Sequence, residues 1–174
     1  MCIFALFLLT TTPLSPLPPP IRAPTPQDAI VRLAPEAFPG LPFAILKELN
    51  RRRCRVPQTF FYATRDPGAA NPRRNPHNVV RGRFFGPDSL DWAVLCSRNG
   101  ESTLLVFHGD SPDRPEEIPS GKDENYLQSN GVGGWEFSHA VRVADPACIQ
   151  KHSESYGGPK PPPLDHDGID DVFV

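Results

Sequence analysis

The sequence predicts an α+β domain, with a mainly antiparallel sheet of about four to six strands and two principal helices packed on it. Three observations predict this class. Two apolar strands flank an Asn-Gly turn in mid-chain, helical apolar spacing occurs near 42–53 and 146–156, and a segment of alternating polarity covers 135–143. The 174 residues suffice for one ordinary domain. We place it at 24–174, behind a leader of residues 1–23.

The leader begins with an apolar run from Ile3 to Leu9 and then becomes small, polar and rich in proline. This pattern is typical of a secretory signal peptide, so we expect a secreted or periplasmic protein, or a cytoplasmic one if the leader is not functional. The run is too short to span a bilayer, and no later stretch has the length of a transmembrane helix.

Two helix starts follow. Thr25 as N-cap, Pro26 in the first helical position and Asp28 in the third predict a short helix that ends before Pro35. Apolar spacing then predicts a helix over 42–53. Its expected buried stripe is Phe43, Ile45, Leu46 and Leu49. The basic run Arg51, Arg52 and Arg53 suits the C-terminal end of this helix better than a nucleic-acid patch, because the helix dipole favours cations there.

The central stretch from Asn78 to Asp110 predicts a hairpin. Asn99-Gly100 is a two-residue turn signal, because a type I′ turn needs positive φ at both central positions. The turn pairs Arg98 with Glu101 and fixes the register as far as Trp92 with Phe107. One face then carries Trp92, Val94, Leu105 and Phe107, and the other carries Ala93, Leu95, Leu104 and Val106. Since both faces are apolar, we expect these strands inside the sheet and covered on both sides.

Weaker signals place the remaining elements. We expect a strand over 58–64, a loop over 65–77, and short strands around Glu117 and Tyr126 in an otherwise polar surface stretch. Alternation over 135–143 puts Trp135, Phe137, His139 and Val141 on one strand face. Asp145-Pro146 opens a second principal helix, whose expected buried face includes Cys148, Ile149 and His152.

Removal of the leader leaves three cysteines. Cys54 follows a helix and Cys96 lies on a central strand, so a disulfide between them fits an oxidising compartment, with a pair of buried thiols as the alternative. Cys148 would then be unpaired, and no cysteine spacing indicates zinc.

Charge is segregated along the chain despite a net charge of -2. From Arg22 to Arg83 there are 12 Lys and Arg against 4 Asp and Glu, and from Phe84 onward there are 6 against 16. The halves either neutralise each other in the fold, which we favour, or leave a basic surface for an anionic partner. No nucleic-acid partner is expected, since the protein as a whole is not basic.

An Asp-rich pattern occurs twice. Asp88-Ser89-Leu90-Asp91 aligns with Asp167-Gly168-Ile169-Asp170, and each precedes an apolar strand. The second copy, with Asp165, Asp167, Asp170 and Asp171, could converge on a calcium ion, because carboxylates spaced two or three residues apart suit a hard cation. The alternative, favoured for both copies, is that these residues only form turns.

The strings DHDGIDD and FFGPDSLDWAVLCS resemble the Asp-rich loop and first strand of FG-GAP (integrin-type) repeats. That resemblance implies calcium-ligand roles for Asp165, Asp167 and Asp171 and a role in extracellular recognition. The strings DWAVLCS and GGPKPPPLDHDGIDD also resemble an uncharacterised family of exported bacterial proteins, which implies no function. Because the chain stops inside an apparent strand at Val172-Phe173-Val174, we expect a truncated domain with an exposed sheet edge.

We therefore predict an exported, noncatalytic binding or inhibitor-like module for an unknown protein or small-molecule ligand. Histidines with nearby carboxylates, as in His108 with Asp110, His139 with Asp145, and His166, lack any catalytic motif around them. The alternative is a secreted hydrolase, whose site would lie between Asp88 and Asp91 and the C-terminal aspartates.

Overall fold

The structure is a computed structural model, and it describes residues 25–59, 75–129, 133–157 and 162–173. The leader at 1–23, most of the expected loop at 65–77 and residues 60–64 of the expected strand lie outside these ranges. The described helices are α1 (Phe43–Arg51) and α2 (Pro146–Ser155).

Ten strands are present in the described ranges. They are β1 (Arg32–Leu33), β2 (Val56–Pro57), β3 (Val79–Gly82), β4 (Asp91–Arg98), β5 (Glu101–Phe107), β6 (Glu116–Lys122), β7 (Leu127–Ser129), β8 (Trp135–Phe137), β9 (His139–Ala144) and β10 (Gly168–Phe173). Short 3₁₀ turns occupy Pro26–Ala29, Pro35–Ala37 and Asp123–Tyr126.

All strand pairs in this part of the chain are antiparallel, which confirms the α+β class. The central sheet has the order β3-β4-β5-β6, and three two-stranded sheets surround it, namely β1-β2, β7-β8 and β9-β10. Ten strands exceed the expected four to six. The excess consists mainly of strands of two or three residues, which are too short to give a periodic signal in the sequence.

The predicted hairpin is confirmed residue by residue. Asn99 and Gly100 adopt positive φ values of 55° and 80°, and the β4-β5 register runs from Arg98 opposite Glu101 to Trp92 opposite Phe107. The two faces bury separate clusters, as expected from their composition. Trp92, Val94, Leu105 and Phe107 pack with α1, while Ala93, Leu95, Leu104 and Val106 pack with β8 and β9.

Helix α1 buries Ile45 and Leu49 completely, but Phe43 was wrongly assigned to its buried stripe. Phe43 is 79% exposed. At about 100° per residue it lies roughly 200° around the helix from Ile45, so both cannot face the core. The helix expected after Thr25 is likewise only a 3₁₀ turn, closed by the Thr25 amide donating to Asp28 Oδ2 at 2.6 Å.

Helix α2 begins as predicted, with Asp145 Oδ1 accepting from the Cys148 amide at 2.7 Å. Its predicted buried face is wrong for two of three residues, because Cys148 and His152 are exposed. Ile149 alone of the three is partly buried, against Gly168, where a Cβ would come within 3.0 Å of Ile149 Cδ1. The helix therefore contacts β10 through Ile149, and none of its residues is fully buried.

No helix within the described ranges is long and apolar enough to cross a membrane.

Candidate functional site

An open groove of about 910 Å³ lies on the surface of the described part of the protein. It lies between the turn at Pro26–Ala29, the β4-β5 turn, the segment after α1, and the start of β7 and β8. We call it the arginine groove, because Arg32, Arg53, Arg55 and Arg98 line it.

The floor of the arginine groove is formed in part by Arg32, which pairs with buried Asp123 beneath the groove. Arg32 Nη2 donates to Asp123 Oδ2 at 2.6 Å, and the Asp123 side chain is completely buried. Ser97 Oγ and Ser102 Oγ donate to the same carboxylate at 2.5 and 2.6 Å. A buried carboxylate needs such partners, because removing it from water is otherwise costly.

The same floor joins three parts of the chain. Arg32 also donates to the Gln27 backbone oxygen at 3.3 Å, and the Asp123 amide donates to the Gly100 oxygen at 2.8 Å. Gln27 precedes β1, Gly100 is in the β4-β5 turn and Asp123 follows β6. The Arg32–Asp123 pair therefore connects these three segments of the chain. The groove therefore has a rigid base.

The walls carry three exposed arginines whose positions follow from a local crosslink. Arg53, with φ 59°, and Arg55 flank Cys54, and Cys54 forms a disulfide with Cys96 of β4 at a Cα–Cα distance of 5.2 Å. Arg55 and Ser97 exchange backbone hydrogen bonds of 3.0 and 2.7 Å beside it. The predicted disulfide is thus present, and it holds Arg53 and Arg55 next to the strand that ends in Arg98.

Within the described ranges, the side chains of Arg53, Arg55 and Arg98 form no hydrogen bond or ion pair. Guanidinium groups stay charged at any physiological pH and present several N–H donors in one plane. The groove is also lined by Leu127, by Trp135, which is 48% exposed, and by the acidic residues Asp28 and Glu124. The site thus combines three arginines without ion pairs with two apolar side chains and two carboxylates.

The four C-terminal aspartates lie apart from this groove, each in a different setting. Asp167 accepts from the Arg83 amide and from Arg83 Nη2, both at 3.0 Å, and these hydrogen bonds lower its pKa. Asp165 contacts His166 Nδ1 at 2.8 Å, and Asp171 contacts buried His139. Asp170 is exposed opposite Arg142 in the β9-β10 register. No three metal-binding side chains are grouped for an ion within the described ranges.

The first copy of the Asp-rich pattern has a structural role through Asp91, which is 1% exposed. Its carboxylate accepts hydrogen bonds from Ser89 Oγ and from the amides of Phe84, Phe85 and Gly109, at 2.5 to 3.1 Å. Burial raises the pKa of Asp91, but these four donors outweigh it and the pKa is lowered overall. Asp88, in contrast, is exposed.

The two copies converge on one stretch of backbone. Asp167 binds the amide of Arg83, and Asp91 binds the next two amides. The hydrolase alternative requires such an approach of the two loops. In this structure, however, both carboxylates accept hydrogen bonds from backbone N–H groups, so they stabilise the loop conformation.

The histidines singled out as catalytic candidates have other partners. His108 stacks on Phe85 with ring centroids 3.3 Å apart, whereas Asp110 accepts from Trp92 Nε1 at 3.1 Å. His139 stacks on Tyr126 at 4.2 Å, and Asp145 caps α2.

Sequence reasoning missed the Arg32–Asp123 pair. The two residues are separated by 91 positions, and Asp123 stands in an acidic stretch that reads as surface loop. The excess of Lys and Arg before residue 84 indicated only that a basic surface for an anionic partner was one of two alternatives.

Comparisons with protein-family models, with curated proteins and with solved structures found no match.

Proposed function

We propose that this protein is an exported, noncatalytic binding module and that the arginine groove is its site for an anionic ligand. The observation that carries the proposal is the set of three exposed arginines, Arg53, Arg55 and Arg98, whose side chains form no hydrogen bond or ion pair in the described part of the chain, although the charge of Glu36 acts on Arg55. Like charges gathered at one site repel each other, so a bound anion would relieve a repulsion that the folded protein otherwise retains.

Binding suits this groove better than catalysis. Arginine side chains do not give up a proton at neutral pH, so they provide charge and hydrogen bonds but no general base. Ser97, a potential nucleophile, is 2% exposed, and the carboxylate to which its Oγ donates is paired with Arg32, which makes that carboxylate a poor base. The hydrolase alternative depends on Asp91 and the C-terminal aspartates, and hydrogen bonds hold Asp91 and Asp167 in structural roles.

Export is supported by the Cys54–Cys96 disulfide, since disulfides persist in oxidising compartments. Calcium at the C-terminal aspartates stays a separate prediction. It would have to displace Arg83 from Asp167 and His139 from Asp171. The binding proposal does not depend on it.

The test is calorimetric titration of the purified chain with citrate, a small tricarboxylate, at low salt. Replacing Arg53 and Arg98 together by glutamine should weaken citrate binding about a hundredfold or more, because each charge-assisted hydrogen bond contributes roughly 1.5–3 kcal/mol and about 1.4 kcal/mol is tenfold. Added salt should weaken binding to the wild-type chain as well, since the site is open to solvent.

The matched control replaces Arg114 and Lys151 by glutamine. Both are exposed outside the groove, and Arg114 shares with Arg53 a positive φ, of 46°. This variant has the same net charge as the groove variant. Equal loss of binding in both variants would show that net charge rather than the groove attracts citrate, and the proposal would be wrong.

A further inference from the structure

Asn99 is exposed in the β4-β5 turn and borders two concave spaces. One is the arginine groove. The other is a basin of about 570 Å³, and Arg53, Arg98 and Asn99 line both spaces. Neither arginine forms an ion pair with a described residue. The side-chain amide of Asn99 is therefore a neutral group beside two positive charges, in the place where the proposed anion would bind.

The residue that follows Asn99 makes its side chain chemically labile. The backbone nitrogen of a following residue can attack the Cγ of an asparagine, and a side chain on that residue hinders the approach. Gly100 has no side chain. Gly100 N and the Asn99 side-chain amide form no hydrogen bond with any other described residue, so neither reacting group has to give up a partner.

The other asparagines in the described ranges lack these conditions. Asn50, Asn78 and Asn125 precede residues with side chains, and Asn75 precedes a proline, which has no backbone N–H. Asn78 is also buried, and its side-chain amide donates to the Pro57 oxygen at 2.7 Å. Among the described residues, the reactive arrangement thus occurs only in the hairpin turn.

The surroundings of the turn favour the reaction as well. The attacking nitrogen loses its proton and becomes negatively charged, and the nearby guanidinium groups of Arg53 and Arg98 stabilise negative charge at this place. Ring closure requires Gly100 N to move toward Asn99 Cγ, so the reaction takes place when the turn opens. Its rate therefore follows the fraction of time that this exposed end of the hairpin is locally open.

We infer that Asn99 is a site of spontaneous deamidation and that this modification weakens anion binding in the arginine groove. A bond forms between Gly100 N and Asn99 Cγ, and the bond from Cγ to the side-chain nitrogen breaks. Ammonia leaves with the proton that Gly100 N gives up. Water then opens the cyclic imide at either carbonyl carbon, which leaves aspartate or isoaspartate at position 99.

Either product carries one new negative charge beside Arg53 and Arg98. That carboxylate pairs with the arginines from within the chain and repels an external anion. The deamidation depends only on the turn and its neighbours, whereas its effect on binding rests on the proposed anion-binding function.

Two variants at position 99 separate the charge of the product from the conformation of the turn. Asn-Gly, Asp-Gly and Gly-Gly all suit a type I′ turn. Asn99→Asp has the charge of the product, and Asn99→Gly has no amide to react. In calorimetric titration of the full chain, Asn99→Asp should bind citrate at least about tenfold more weakly than Asn99→Gly, because its carboxylate repels citrate.

The reaction itself is followed in the folded wild-type chain, incubated in a mildly alkaline buffer. Trypsin digestion and isoaspartyl methyltransferase then locate isoaspartate, and cleavage after Lys122 separates Asn99 from Asn130, whose Asn-Gly pair lies outside the described residues. We expect isoaspartate at position 99 and none at the other described asparagines. The citrate affinity of the wild type should fall toward that of Asn99→Asp during the incubation. Asn99→Gly, which retains Asn130, should keep its starting affinity.

A folded chain without isoaspartate at position 99, under conditions that convert the urea-unfolded chain, would overturn the inference. Equal citrate affinities of Asn99→Asp and Asn99→Gly would overturn it too. The failure of the underlying proposal has a different signature, because citrate binding would then survive Arg53→Gln with Arg98→Gln.

Discussion

The Cys54–Cys96 disulfide should contribute about 4 kcal/mol to the free energy of unfolding, because it closes a loop across a sequence separation of 42 residues. The perturbation is the double replacement of Cys54 and Cys96 by alanine. The magnitude follows from the entropy that the unfolded chain regains when the loop is opened. Both cysteines are buried in the core cluster beside α1, so alanine introduces no polar group there.

The assay is equilibrium unfolding in urea, followed by circular dichroism, with the wild-type chain kept oxidised. The midpoint should fall, and the slope against urea should rise because the unfolded chain without the crosslink is less compact and exposes more surface. Cys148→Ala is the matched control, since Cys148 is free and exposed, and its effect should stay within about 0.5 kcal/mol. A double variant as stable as the oxidised wild type would refute the reasoning. Citrate binding should also weaken in that variant, because the crosslink positions Arg53 and Arg55.

Three further predictions concern the groove and the loops. Asp123→Ala should lower the free energy of unfolding by about 3–5 kcal/mol in the urea assay, because it leaves Arg32 charged and partly buried without its partner; a loss below about 1 kcal/mol would contradict this role. Gly100→Val should lower stability by roughly 1–2 kcal/mol in thermal melts, since Gly100 has φ 80°, whereas an unchanged melting temperature would show that the turn tolerates a side chain. The pKa of Asp91 is lowered in the fold, so its stabilisation is complete above the ordinary carboxyl pKa near 4 and is lost as the pH falls; the free energy of unfolding of wild type should decline more steeply below about pH 5 than that of Asp91→Asn, and parallel curves would exclude this contribution.

The hairpin could be predicted in full because its information is local. Asn99 and Gly100 specify the turn, and every register pair follows from it by counting along the two strands. The disulfide could be predicted as one of two alternatives for a related reason. A cysteine after a helix and another on a buried strand are brought together whenever that helix packs on that strand, as α1 does.

The wrong predictions concern side chains whose burial depends on tertiary packing and not on the periodicity of the sequence. Phe43 and Cys148 are apolar residues at helical spacing, yet both are exposed, because α1 and α2 each rest on the sheet through a narrower stripe than their composition offers. The groove floor was beyond sequence reasoning for another reason. Arg32 and Asp123 lie in strands or turns with no signal of their own, and only the arrangement of β1 beside the central hairpin brings them together.

The segregation of charge along the chain has both of the outcomes that the sequence left open. Among the described residues, four ion pairs join the basic first part to the acidic second part, namely Arg32–Asp123, Arg52–Glu117, Arg81–Asp110 and Arg83–Asp167. Arg53 and Arg55 take part in none of these four pairs. They line the arginine groove together with Arg98, which belongs to the acidic second part of the sequence. Internal neutralisation is therefore incomplete at this groove, where the described residues give the side chains of Arg53, Arg55 and Arg98 no hydrogen bond or ion pair and only the charge of Glu36 acts on Arg55.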